Sequence, residues 1–509
     1  MGRAASARPG RLTPLAEPAG MEFTPPGRFK STERFHEHWT SLDSSLGCDL
    51  EVEGPDGPLA QPLLVATPDG GKRSIGNRFC VHPMEGWDGT EDGGPTENTL
   101  RRWRHFGLSG AKLIWGGEAY AVQPDGRANP NQLHLNPDPG VDNAANLARL
   151  LDALKSAHLE HHGTTDDLVV GLQLTHSGRF SRPHGTTMSP RIAELNPVLS
   201  EKYGLDAGVH ILSDRALREI SANMVKAACL AADVGFDFVD VKCCHGYLLH
   251  ELLGAHTRSG EFGGSFENRT RLFRETVEAI KTARPELLIG CRVSITDTYP
   301  LFRREGDAVG YPKGVENNLP WRHGFGVNTH DPTESDFTEP QRFLELCRDL
   351  GVFMANLTVG SPYYCPHLQR PAAYPPSDGY LPPRDPLCEV QRHLQVVRTI
   401  RTLVPDLPLV GSGWSYLQEW LPAVAQHEVR LGMVDMVGLG RSMLSYPTLP
   451  ADVVGGRPLQ KKFLCRTFSD CTTAPRNGMI SGCYPLDEHY KSMPQAVELK
   501  VLRKEASKA

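Results

Sequence analysis

GFDFVDVKCCHGYLLHELL, residues 235–253, is the stretch on which the fold class turns. Its opening FDFVDVK (236–242) is dense in aromatic and β-branched residues and has the length of a strand buried on both faces. Lys242, Cys243, Cys244, His245 and Tyr247 follow at once, before an apolar run resumes. Such a group admits three readings: a metal site, a redox pair, or a rim of catalytic donors. Adjacent Cys residues have poor geometry for an ordinary disulfide, and no C-x-x-C occurs here. Cys243 and Cys244 therefore read as small apolar packing residues.

Seven similar runs lie on either side: FCVHP (79–83), AKLIWGG (111–117), LVVGLQLT (168–175), LLIGCRVS (287–294), VFMANLTV (352–359), LPLVGSG (407–413) and MVDMVGLG (433–440). Amphipathic stretches separate several of them. One, at 213–235, opens with a Ser cap backed by Asp; another spans 267–284. Eight strand-like runs alternating with helices predict an α/β fold, a (β/α)8 TIM barrel. A doubly wound sheet would want a G-x-G-x-x-G turn after its first strand, and none follows 79–83.

The 509 residues divide by composition into three parts. Residues 1–58 are a Pro/Gly-rich extension, expected to be partly disordered, with Met21 as an alternative start. Residues 59–460 hold the barrel, interrupted by a polar insertion at 300–335. Residues 461–509 form a Cys-containing segment expected to close the barrel or contact a second subunit, as in a homo-oligomer. The insertion and the Pro- and Tyr-rich 361–387 both follow strand ends, where barrel enzymes keep their active-site loops. Tyr363, Tyr364, Tyr374 and Tyr380 predict either an aromatic pocket wall or loop packing.

Composition narrows the function classes. The hydrophobic fraction is 39%, yet no run reaches the roughly 18 apolar residues of a transmembrane helix. A net charge of −6 with both signs interspersed argues against nucleic acid as the main partner. Twelve scattered Cys without a signal peptide read as reduced thiols in the cytoplasm.

Eight segments, taken in order, resemble a known family. They are NRFCVHPM (77–84), WGGEA (115–119), GLQLTHSGR (171–179), residues 235–253, FGGSFENRTRLF (262–273), CRVS (291–294), VGSG (410–413) and GLGR (438–441). Across about residues 60–490 the chain is similar to the Old Yellow Enzyme-like NADH:flavin oxidoreductases, in the branch of 2,4-dienoyl-CoA reductase and trimethylamine dehydrogenase. The resemblance implies FMN at the barrel mouth and NAD(P)H as electron donor. It places Gly411, Ser412, Gly413, Gly440 and Arg441 at the phosphate, where small residues let backbone N–H groups approach and Arg adds a charged fork. It assigns Gln173 to the flavin's pyrimidine edge, Arg292 to the side that gains negative charge on reduction, and Pro83, Met84 and Ala119 to further flavin contacts. An unpaired Gln amide or Arg inside an apolar run is costly, which favours a partner for both.

His245 and Tyr247 stand where the family holds a substrate carbonyl and donates a proton. Lys242 departs from the family's His. It is a compact charge suited to a carboxylate or oxyanion, or to a base if desolvated. Glu85 departs too, since a carboxylate beside the flavin disfavours the reduced form unless neutralised. These two departures suggest that Glu85 and Lys242 are a compensating pair; the alternative is a solvated Glu85 pointing away.

Relatives in this branch bind an iron–sulfur cluster through four Cys near the C-terminal end. Here only Cys465, Cys471 and Cys483 remain, with Phe468 in the place of the second, so the set reads as a relic of that site. A zinc site adding His489 is the thinner alternative. The resemblance thus implies an FMN-dependent reductase of activated C=C bonds acting on a small molecule. Its rivals are a flavin-dependent dehydrogenase or demethylase passing electrons to a separate acceptor, and an inactive barrel used as a binding module.

Overall fold

The computed structural model describes residues 23–205 and 208–506. Its central strands are β1 (Phe79–Val81), β2 (Leu113–Ile114), β3 (Val169–Thr175), β4 (Phe238–Val241), β5 (Leu288–Thr296), β6 (Met354–Val359), β7 (Leu409–Gly411) and β8 (Met436–Leu439). Each lies in one of the eight runs read as strands, β5 reaching two residues beyond its run. All pair in parallel with their neighbours. The register Phe79↔Val437 joins β8 back to β1, so the sheet closes into a (β/α)8 barrel. Every residue of β3 to β6 is buried, as a sheet covered on both faces requires.

The outer helices are α1 (Glu97–Leu108), α2 (Asn143–His162), α3 (Asp214–Val234), α4 (Arg271–Ala283), α5 (Thr338–Asp349), α6 (Pro386–Leu403), α7 (Leu421–Arg430) and α8 (Leu449–Val454). At α3 the Ser213 hydroxyl accepts from the Ala216 N–H at 3.2 Å, and Gly235 ends the helix at φ +100°. The helix expected over 267–284 is divided. Phe266–Arg269 forms a separate turn, and the Thr270 hydroxyl bonds back to the Phe266 carbonyl at 2.8 Å where α4 begins.

One end of the barrel is filled by Trp115, Phe238, Phe353, Met354 and Met436, with the Trp115 and Phe238 rings 5.2 Å apart. Burying each such side chain contributes about 1.5–3 kcal/mol. Within the expected extension, residues 32–42 form a helix whose Phe35 stacks on Trp420 at 5.3 Å. Residues 1–22, with Met21, lie outside the described residues. The insertion pairs Phe302–Arg303 with Gly310–Tyr311 and buries Trp321 and Val327 against Tyr299. In the C-terminal segment Ala474, Met479, Tyr484 and Tyr490 form their own small core. Among the described residues no helix is long and apolar enough to cross a membrane.

Candidate active site

The C-terminal ends of the strands surround a cavity of about 230 Å³. Pro83, Met84, Glu85, Ala119, Gln173, Lys242, His245, Tyr247, Arg292, Ser412, Gly413, Gly440 and Arg441 all line it. Gly411 does not. It lies inside β7, where a Cβ would meet Trp414 at 3.1 Å and Val434 at 3.2 Å, so its smallness serves packing. Of the four loop tyrosines only Tyr363 lines the cavity. Tyr364 donates to Asp297 at 2.8 Å, Tyr374 packs near Phe468, and Tyr380 bonds His367 at 2.6 Å.

Two sets of side chains differ in charge balance. The first is arginine-rich. Arg292 is 4% exposed, its Nε has no partner, and no carboxylate lies within ion-pair distance among the described residues. Burial lowers its pKa. Arg441 donates to the Pro371 carbonyl at 3.0 Å and Arg370 to the Thr472 hydroxyl, again without ion pairs among the described residues. Burial, and then Arg476 and Arg441 nearby, pull the Arg370 pKa down to about 9. Guanidinium groups gathered without counter-charges fit an anionic ligand. Gln173 turns its amide nitrogen to the Asp240 carboxylate at 2.6 Å, and Asp240 also accepts from the Arg292 backbone N–H at 2.7 Å. Burial raises Asp240 to about 7.

The second set compensates itself. Lys242 Nζ lies 3.6 Å from Glu85 Oε1 and 3.8 Å from the centre of the Tyr247 ring. The Tyr247 hydroxyl donates to both Glu85 oxygens, at 3.0 and 3.1 Å, and lies 2.9 Å from the Tyr363 hydroxyl. Glu85 therefore turns inward to the pair of donors. Burial first, then the Glu85 charge, pushes Tyr247 well above the ordinary tyrosine range. His245 meets the Gln369 amide at 3.1 Å; burial, with Arg292 and Lys242 nearby, holds it well below the ordinary histidine range. It is neutral at pH 7.

A tight turn presents these groups. His245 and Gly246 both have positive φ, +69° and +76°. The left-handed region is costly for a His and easy for Gly. Ser294 Oγ accepts from the His245 N–H at 3.0 Å, and Ser361 Oγ donates to its carbonyl at 2.7 Å. Cys243 and Cys244 are fully buried behind the turn.

Sequence reasoning did not single out His82, Gln369, Arg370, Thr472 or Ser481, which also line the cavity, and it read Cys471, which lines it too, only as part of the thiol set. His82 fills the barrel axis between the Asn356 amide and the Ser412 hydroxyl, both at 3.1 Å; its motif FCVHP carried a signal. Asp240 carried one too, as an acid inside an apolar strand. Cys465, Cys471, Cys483 and Phe468 surround a second cavity of only about 20 Å³. Among the described residues no group of three His, Cys, Asp or Glu is placed to hold a metal ion, and His489 bonds Asn98 at 2.9 Å instead of joining the thiols. Three thiols around so small a space do not fit an iron–sulfur cluster.

A closed parallel barrel whose mouth gathers guanidinium groups without ion-pair partners among the described residues, beside a Lys–Glu–Tyr cluster, defines the class: a barrel protein whose strand ends fit an anionic ligand. Residues 68–308 match the NADH:flavin oxidoreductase / NADH oxidase family. It is 28% identical over 248 residues to the NADPH dehydrogenase of Bacillus velezensis, covering 48% of this chain and 67% of that protein. In fold it is similar to a 2-naphthoyl-CoA reductase (TM-score 0.61, 16% identity, 87% of this chain and 58% of that one). A histamine dehydrogenase from Rhizobium sp. 4-9 shares the fold as well (TM-score 0.58, 22% identity, 84% and 52%). The chain thus spans little more than half the length of these solved proteins.

Proposed function

We propose that the chain is an FMN-dependent oxidoreductase that reduces an activated C=C bond at the expense of NAD(P)H. The observation that carries this reading is the meeting, in one cavity, of unpaired Arg292, Arg370 and Arg441 with the Lys242–Glu85–Tyr247 cluster. The donor set fits the cofactor. Ser412, Gly413, Gly440, Arg441 and Arg370 would hold the phosphate, and Gln173 and Arg292 the pyrimidine side, with Pro83, Met84 and Ala119 against the ring. When bound, FMN supplies a two-electron carrier that takes and returns hydride.

The protein's own groups do the rest. Lys242, buried and offset by Glu85, holds a substrate oxygen on which negative charge develops. Neutral His245 adds a hydrogen bond to that oxygen. Tyr247, with its proton firmly held, is a weak acid suited to delivering a proton to the α-carbon. Glu85 and Lys242 together set substrate choice: a cationic amine would meet Lys242 while the Glu85 charge is already engaged. That favours the reductase over the dehydrogenase reading. We place the enzyme in the cytoplasm, with residues 59–460 as the flavin-binding unit and 461–509 as its cover.

The test is anaerobic mixing of the FMN-loaded protein with NADPH or NADH, followed by an enone. Rapid bleaching, then recolouring by the enone with formation of the saturated product, supports the proposal. Bleaching by amines alone would overturn it in favour of the dehydrogenase, and a protein that takes up no FMN would leave the binding-module reading.

A further inference from the structure

Behind the Met84–Glu85 segment lies a buried charge cluster to which nothing above gives a role. Arg102 on α1, Asp88 on the loop after β1, and Glu118 after β2 are 3%, 5% and 2% exposed. All five Arg102 N–H groups are engaged. Two meet Asp88, at 2.7 and 3.2 Å, and Glu118 Oε2 lies 2.6 Å from one of these nitrogens. The third nitrogen donates to the carbonyls of Met84, at 2.9 Å, and Gly117, at 3.3 Å. Gly86 is pressed onto the group: a Cβ there would lie 2.3 Å from both Arg102 and Asp88.

One guanidinium faces two carboxylates in a site without water access, so ionising both would leave an uncompensated buried negative charge. Asp88 is the better solvated by donors, with Arg102 in two places and the Thr99 hydroxyl at 3.2 Å. Glu118 Oε1 has no donor among the described residues. The proton therefore belongs on Glu118. Burial, with Asp88 and Glu85 adding to it against Arg102, raises Glu118 to about 8. The other groups facing the cluster are Tyr490, and beyond it Arg101 and Asp487.

We infer that Arg102, Asp88 and Glu118 form a one-proton positioning cluster that holds the Met84–Glu85 segment at the cavity, and that losing this proton sets the alkaline limit of turnover. The link is direct. Arg102 grips the Met84 carbonyl, and Glu85 is the next residue. A second negative charge on Glu118 draws Arg102 off that carbonyl and repels the Glu85 carboxylate from its place beside Lys242. Arg102 and Glu118 are thus positioning residues that act through Glu85. This inference rests on the proposed function for its consequence, while the proton itself can be read without turnover.

Two measurements test it on the full-length, FMN-loaded protein. Infrared difference spectroscopy between wild type and Glu118→Gln should reveal a neutral carboxyl at pH 7 that disappears at alkaline pH. Wild-type kcat with an enone should fall about tenfold from pH 7 to pH 9, because one unit above the midpoint leaves about a tenth of the group neutral. In Glu118→Gln, which mimics the neutral acid, the same fall should shrink below about twofold. Stability follows the same sign. With the folded pKa raised above the unfolded one, the contribution is complete below the ordinary glutamate range and is lost as pH rises through about 8. Absence of the carboxyl band at pH 7, or an unchanged alkaline limb in Glu118→Gln, would overturn the inference. If that variant does not fold, wild-type protein with ¹³C-carboxyl-labelled glutamate gives the infrared reading alone. A neutral carboxyl without enone turnover would instead count against the proposed function.

Discussion

The arginines of the cavity and its Lys–Glu–Tyr cluster are built on opposite principles. Arg292, Arg370 and Arg441 have no charged partners among the described residues, whereas Lys242, Glu85 and Tyr247 answer one another within 3.8 Å. Unpaired buried charge is tolerated where a ligand is to supply the counter-charge, and such residues report on binding. A compensated cluster exists in full before the ligand arrives, so its residues report on chemistry.

Four experiments can break or sharpen that contrast. Arg292→Leu should have the largest effect, weakening FMN affinity by about a hundredfold or more, since a lost buried charge-assisted contact is worth about 2–5 kcal/mol. Fluorescence titration of the apoprotein with FMN reads it, and retained flavin at stoichiometric content would refute it. Tyr247→Phe should lower kcat for the enone by about a hundredfold, in the range for a lost general acid. Flavin content and bleaching by NADPH should not change; slower bleaching would assign Tyr247 elsewhere. Lys242→His and Glu85→Thr, singly and combined, should couple by about 1–2 kcal/mol in kcat/KM, as neighbouring charges do. Strict additivity would dissolve the pair. Arg370→Ala should be mildest, raising the Kd for FMN by about three- to tenfold while kcat at saturating FMN holds, as for a partly exposed phosphate contact.

The barrel was legible because each strand is covered on both faces and so reads as a mostly apolar run. Lys242, His245 and Tyr247 were legible because a polar group ends one of those runs at the place where the family resemblance puts the substrate. Arg102 was not. It sits on an amphipathic helix where an Arg ordinarily faces water, and only the closure of β1 and β2 around it buries its charge. Arg370 was hidden in a loop whose tyrosines drew the eye, and three of those four tyrosines proved to pack or bond against other neighbours. The helix over 267–284 was read as continuous because its pattern does not break; the Thr270 hydroxyl interrupts it locally. Pairings such as Glu85 with Lys242 could be suspected from two unusual residues, but their approach depends on strands 157 positions apart meeting in space.

Part of the cavity wall comes late in the chain. Cys471, Thr472 and Ser481 line it, and the Ser481 N–H fastens to the Gly86 carbonyl at 2.8 Å. The eight strands can therefore close while the chamber still lacks a side. This predicts an order of assembly: the barrel first, the proposed flavin next or together with the C-terminal segment, and the latch onto the loop after β1 last. In refolding followed by both tryptophan emission and flavin quenching, the flavin signal should lag the tryptophan signal, and Ser481→Pro, which removes the latching N–H, should speed flavin escape from the finished protein.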